Sequence, residues 1–145
     1  MKHLRKPVRI AVLALFGIVG VLSMVRISSA TGYVNKADLA GNWEIAFGGF
    51  TGCGQSAELA DVTLNGSGVG SATLHTHGNC GDSTVTGQTF TITSLKSNGS
   101  GTAGLSCGAS CGWTFSIQVS PDRSTINLVD LTDPGNYLSG TAIHQ

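Results

Sequence analysis

Apolar and polar residues alternate along much of the chain from residue 42 onwards, and a period of two is typical of β-strands. The alternation is clearest at residues 113–119, where Trp, Phe, Ile and Val are separated by Thr, Ser and Gln. Weaker forms of the same pattern occupy residues 42–47, 58–64, 69–77, 84–93, 102–107, 124–131 and 137–143. Within 84–93, Gly87 predicts a β-bulge. We therefore predict an all-β fold of eight short strands.

Short segments rich in turn-forming residues separate these strands. The sequence Asn-Gly-Ser-Gly occurs at 65–68 and again at 98–101. Its Asn and Gly residues tolerate the positive φ angles that tight turns need. Proline-containing turn clusters follow at 121–122 and 133–136. Short connections favour antiparallel neighbours, so we expect an eight-stranded antiparallel up-and-down β-barrel, which leaves no exposed sheet edge. A β-sandwich is the alternative.

The first 30 residues have a different composition. Four Lys and Arg residues lie within the first nine positions, an uncharged and mostly apolar run spans 10–25, and Ser28-Ser29-Ala30 follows. This three-part pattern is typical of a secretory signal peptide. The apolar run is shorter than the roughly 20 residues that a membrane-spanning helix needs, so cleavage after Ala30 is favoured over an uncleaved anchor. We predict a signal peptide at 1–30, one barrel domain at 31–145, and a secreted or periplasmic location in a bacterium.

Cleavage would change the charge of the protein. Residues 31–145 carry three Lys and Arg residues against eight Asp and Glu residues, although the whole chain is neutral. A weakly acidic domain with few cations offers no electrostatic surface for nucleic acid or for an anionic membrane. We therefore expect neither partner after cleavage, and the oligomeric state stays open.

All four cysteines precede a glycine, and they are Cys53, Cys80, Cys107 and Cys111. Four cysteines in a small exported domain indicate two disulfides. Three pairings are possible, and we favour Cys53–Cys80 with Cys107–Cys111. In an up-and-down barrel the loops after the first, third, fifth and seventh strands share one end, so the cysteines would surround one opening. We define this mouth as residues 50–55, 77–82, 106–112 and 133–136.

The segment 39–43, Leu-Ala-Gly-Asn-Trp, resembles the Gly-x-Trp signature that opens strand one in calycins, the lipocalin and avidin superfamily. In that family a short helical turn leads into the strand and the tryptophan packs across the closed end. Residues 35–40 can form such a turn, capped by Asn35 and ended by Gly41. The resemblance implies a calycin-like barrel. This chain ends in His144-Gln145 and lacks the late arginine that packs on the tryptophan in calycins. The chain is also similar to small Gly/Thr-rich β-proteins that bacteria export, which implies no activity.

Aromatic residues are candidates for lining a pocket, because the interior of an eight-stranded barrel is either just filled by side chains or able to hold one small ligand. The candidates are Trp43, Phe47, Phe90, Trp113 and Phe115. Our first hypothesis is therefore an exported barrel that binds a small apolar ligand at the disulfide-stapled mouth. The alternative is that these residues are core, and that the protein is a structural or adhesive module with a filled barrel.

His75 and His77 suggest a third hypothesis. Residues two apart on a strand lie on one face about 6.6 Å apart, so two imidazoles can share a zinc or copper ion if a third ligand, such as Asp82, is near. A solvated polar strand face is the simpler interpretation. Two Gly-x-Ser-x-Gly matches, at 104–108 and 108–112, lack the following helix that a hydrolase nucleophile needs. We predict no catalytic residue, no enzymatic activity and no cofactor.

Overall fold

A computed structural model describes residues 32–107, 111–132 and 135–145. The predicted signal peptide and its cleavage site lie outside these residues. The described chain forms a 3₁₀ helix (Lys36–Leu39) and eight strands: β1 (Gly41–Thr51), β2 (Gly54–Leu64), β3 (Val69–Gly78), β4 (Gly81–Leu95), β5 (Ser100–Ser106), β6 (Gly112–Val119), β7 (Thr125–Asp130) and β8 (Tyr137–His144). In the part of the chain that the structure describes, no helix is long and apolar enough to cross a membrane.

The eight strands form a closed barrel in which each strand pairs antiparallel with its sequence neighbours and β8 pairs with β1. The predicted fold class is confirmed, and the β-sandwich alternative is wrong. β1, β2 and β4 extend several residues beyond the predicted segments at the end that carries Cys53 and Cys80. The alternation of polarity stops there because inward positions near this end are polar, although the backbone pairing continues.

The predicted bulge at Gly87 is confirmed. Ala72 pairs with Gln88 and Leu74 pairs with Val85, so one residue of β3 lies opposite two residues of β4. Gly87 adopts a φ of 70°, which a residue without a Cβ adopts at little cost. The bulge restores the inward direction of Phe90, which is 1% exposed.

One core fills the barrel, and every strand contributes to it. The alternation of buried and exposed positions is strict along β6 and along most of β2. Phe90 and Phe115 are the largest of the fully buried side chains in this core. Because the inward positions alternate with outward polar ones, strand pairing and core formation specify the same register.

The 3₁₀ helix closes the end of the barrel at which β1 begins. The helical turn predicted at 35–40 is confirmed, and Asn35 caps it by accepting a hydrogen bond from Ala37 N at 2.9 Å. The Asn35 N–H donates to Asp38 Oδ2 at 3.0 Å, and this bond, with the nearby Arg123 guanidinium, lowers the pKa of the Asp38 carboxyl. Leu39 is completely buried, so the helix acts as an apolar plug.

Trp43 anchors this plug to the barrel. Its indole Nε1 donates to Leu39 O at 2.9 Å, and its ring stacks on the imidazole of His144 with centroids 4.6 Å apart and an interplanar angle of 22°. Trp43 pairs with His144 across the β1–β8 ladder. His144 therefore packs on the ring of Trp43. The sequence has no late arginine that could make this contact.

We expect the His144→Ala substitution to lower the free energy of unfolding by about 1 kcal/mol, because an aromatic pair contributes about 0.5–1.5 kcal/mol beyond its buried area. Urea unfolding followed by tryptophan fluorescence measures the change. His77→Ala is the matched control, since His77 is exposed and lies on no aromatic ring in the described structure, and it should change stability by less than about 0.5 kcal/mol. Equal effects of the two substitutions would contradict a structural role for the stack.

Candidate functional site

The loops after β1, β3, β5 and β7 lie at one end of the barrel, as strand parity predicts. A disulfide between Cys53 and Cys80 joins the loops after β1 and β3, with Cα atoms 5.5 Å apart. The Gly52 N–H donates to Asn136 Oδ1 at 3.1 Å, which ties the loop after β7 to the loop after β1. The predicted mouth is therefore a set of loops that are linked to one another.

A second disulfide, between Cys107 and Cys111, closes the loop after β5 on itself. The pairing that we favoured from the sequence is confirmed. Two disulfides and no free cysteine among the described residues indicate an oxidising environment.

The two sides of the mouth have different heights. The first half of β4 pairs with β3 as far as the Gly78–Gly81 pair, whereas pairing between β4 and β5 begins only at Phe90 and Leu105. The β3–β4 hairpin therefore rises beyond the ends of β5 and β6. The Cys53–Cys80 disulfide lies on this tall side and fixes the hairpin to the β1–β2 loop.

The five aromatic residues proposed from the sequence as ligand contacts are all buried. They are at most 8% exposed and belong to the core cluster: Trp43, Phe47, Phe90, Trp113 and Phe115. The ring of Phe47 contacts the rings of Trp113 and Phe115 edge-on, with both centroid distances 5.8 Å. Trp43 lies at the closed end, away from the mouth. Phe47 and Trp113 are the nearest of the five to the mouth.

The inner wall above these aromatic rings is polar, which the sequence analysis missed. Ser56 and Glu58 continue the inward face of β2 that begins with Ala60, and they are 9% and 5% exposed. The hydroxyls of Ser56 and Thr76 each donate to one carboxylate oxygen of Glu58. The unbroken period of two from 56 to 64 was the available signal, but a search for apolar positions does not detect it.

Glu58 is an unusual residue to bury. Carboxylates are almost never fully buried unless they are paired, because removing the charged form from water is costly. Among the described residues, no cation forms an ion pair with Glu58; its hydrogen bonds come from two neutral hydroxyls. The site therefore retains an uncompensated negative charge whenever Glu58 is ionised.

A second carboxylate reaches the same end from β7. Asp130 follows the buried, inward residue Leu128 by two positions, so it continues the inward face of its strand. Its Oδ1 accepts a hydrogen bond from Thr132 N at 2.7 Å, whereas Oδ2 is buried without a hydrogen-bond partner among the described residues. The mouth thus carries acidic groups on two separate strands.

An open recess of about 460 Å³ lies at the tall side of the mouth. Its lining is Gly49, Gln55, Ser56, Ala57, His77, Gly78 and Asn79. Ser56 pairs with Gly49 on one side and with Gly78 on the other. Because neither glycine has a side chain, Ser56 supplies the only side chain in this row of three residues on the inner wall. The row below it consists of Phe47, Glu58 and Thr76.

His75 and His77 lie outside the barrel, on an open groove of about 580 Å³ over β2, β3 and β4. His77 Nδ1 is 2.5 Å from Asp82 Oδ1, and His75 Nδ1 is 3.0 Å from Thr84 Oγ1. Among the described residues, the proposed third ligand Asp82 contacts His77, whereas the carboxylate near His75 is that of Asp61, with Nε2 and Oδ2 3.5 Å apart. No group of three His, Cys, Asp or Glu side chains within the described ranges is arranged to hold a metal ion.

Comparisons of the chain with known protein families, with characterised proteins and with solved structures found no match. The eight-stranded antiparallel barrel is consistent with a calycin-like fold, and this conclusion comes from the strand order alone.

We expect the two disulfides to contribute unequally to stability. The Cys53–Cys80 bond closes a loop with a sequence separation of 27, and Cys107–Cys111 closes one of 4. On the chain-entropy relation these correspond to about 3.5 and about 2 kcal/mol. Urea unfolding of the two double alanine variants measures the difference. A Cys107/Cys111 variant that is the less stable of the two would contradict this order.

Proposed function

We propose that this protein is an exported, calycin-like barrel that binds one small ligand at its disulfide-stapled mouth. Residues 1–30 would direct export to the periplasm or the medium, where the two disulfides form. The observation that carries the proposal is the buried carboxylate of Glu58, which is 5% exposed and, among the described residues, accepts hydrogen bonds only from hydroxyls. A barrel that is only a scaffold gains nothing from an unneutralised charge in its interior.

The composition of the mouth supports a ligand of a particular class. Glu58 attracts a protonated amine or guanidinium, and it pairs directly with Phe47, whose ring belongs to the apolar floor of the mouth. The buried Oδ2 of Asp130 is an additional acceptor. A cation attached to a small apolar group could pair with the carboxylates of Glu58 and Asp130, while its apolar part contacts the ring of Phe47. The proposed ligand is therefore amphipathic, rather than wholly apolar as the aromatic residues alone suggested.

A structural or adhesive role is the second candidate, and the filled core favours it. The five aromatic residues pack within the core cluster, and the 3₁₀ helix plugs the opposite end. In this case the polar mouth would be a solvated end of the barrel, and Glu58 would serve only to hold Ser56 and Thr76. The two candidates differ in what happens when the charge of Glu58 is removed.

We expect Glu58→Gln to weaken the binding of a cationic amphiphile by about tenfold or more, because a hydrogen bond to a charged group contributes about 1.5–3 kcal/mol. The probe is protonated 2-phenylethylamine, and its uncharged analogue 2-phenylethanol should bind weakly to both proteins. Chemical-shift titration by NMR measures the affinities. The matched control is Glu44→Gln, which neutralises an exposed carboxylate on the outer face of β1.

Stability provides an independent result from the same variants. If Glu58 serves ligand binding, Glu58→Gln should unfold at an equal or higher denaturant concentration, because an unpaired buried charge no longer has to be desolvated. A clear loss of stability, together with no binding of any amine or guanidine, would support the structural role instead. Equal affinity for the amine and the alcohol would exclude charge recognition.

A further inference from the structure

Large apolar side chains are exposed on one side of the barrel. Of the eight exposed large apolar residues that the structure describes, five lie on β7, β8 and β1 or directly after β7: Val129, Leu131, Tyr137, Ile143 and Phe50. They are between 51% and 70% exposed. We define the β7–β8–β1 outer face as these five residues together with the other outward residues of the three strands between them, which are Thr125, Asn127, Ser139, Thr141, Glu44, Ala46 and Gly48.

This face is almost uncharged. Glu44 is its only charged residue, and it lies at the edge of the face, opposite Ile143. The rest of residues 31–145 is acidic, with seven Asp and Glu residues against three Lys and Arg residues. A basic partner would find one complementary charge on the face, Glu44 at its edge, and an acidic partner would find none. Two copies of the same acidic chain, in contrast, repel each other least when they meet through it.

Large and small outward residues are neighbours at the mouth end of the face. Phe50 and Tyr137 pair directly across the β1–β8 ladder and form a protruding aromatic edge at the mouth end. The next outward pair towards the closed end is Gly48 and Ser139, and both are small. In a two-fold contact the same patch on each copy meets its equivalent. The aromatic edge of one copy can therefore lie on the small residues of the other.

The size of the face suits a dimer of moderate affinity. With a spacing of about 4.8 Å between strands and about 3.3 Å between residues, β7, β8 and β1 over about eight residues cover a flat footprint of about 380 Å². Side-chain relief makes the accessible area larger than this footprint. A standard interface buries about 800 Å² per partner.

We propose that the β7–β8–β1 outer face is the contact between two copies of this chain in a two-fold dimer. The mouth remains accessible in such a dimer, because the outward side chains of Phe50 and Tyr137 point away from the interior that holds Glu58. The dimer does not depend on the proposed ligand, so a failure of either proposal leaves the other intact.

Sedimentation velocity of the exported protein, from about 1 to about 500 μM, tests this proposal over a range that brackets moderate affinities. The expected result is a transition from monomer to dimer within this range. Tyr137→Lys and Val129→Lys should each raise the dissociation constant at least about tenfold, because a like charge is then placed on both sides of the contact. Val69→Lys is the matched control, since Val69 is 39% exposed on β3, outside this face.

The control separates a local effect from a change in net charge. All three variants reduce the acidic charge equally, so only a specific contact predicts a difference between them. A monomer at every concentration, or a dimer that persists in both Tyr137→Lys and Val129→Lys, overturns the proposal. A monomer that binds phosphatidylcholine vesicles through this face also overturns it, and identifies lipid as the occupant. Near-UV circular dichroism checks that each variant is folded, and Val129→Lys tests the face if Tyr137→Lys does not fold.

Discussion

The pairing of β8 with β1 is the constraint on which the rest of the structure depends. It closes the sheet, so every strand has two neighbours and the period of two separates an inside from an outside around the whole barrel. Gly140 lies at this seam, opposite Phe47. A Cβ at Gly140 would collide with Ala46 O and with Phe47 Cβ, so the close approach of β8 to β1 requires glycine there.

Closure also makes the two ends of the barrel different. Trp43, His144 and the buried Leu39 seal one end with apolar surface and one indole hydrogen bond. At the other end the inward positions become polar, the hairpins differ in height and disulfides replace the core as the means of holding the loops. This change from a packed base to a polar mouth is the physical reason why we propose a ligand near Glu58 and not among the aromatic rings.

The outside of the barrel is also divided. The groove over β2, β3 and β4 carries His75, His77 and their carboxylate and hydroxyl partners. The face across β7, β8 and β1 carries large exposed apolar side chains and is nearly uncharged. A small barrel can therefore keep its mouth for a ligand and one outer face for a second copy, because inward and outward residues of the same strand are independent of each other.

Much of the architecture was predictable from the sequence, because alternation and turn chemistry are local properties. The eight strands, the bulge at Gly87 and the capped turn at Asn35 are each encoded within about ten residues, and strand parity was enough to place all four cysteines at one end. The polar mouth was not predicted. Ser56 and Glu58 look like surface residues in the sequence, and only closure of the barrel shows that their side of β2 faces inward. The apolar outer face was missed for the related reason that Phe50, Val129 and Tyr137 lie on separate strands, and it is the β1–β8 pairing that brings those strands together.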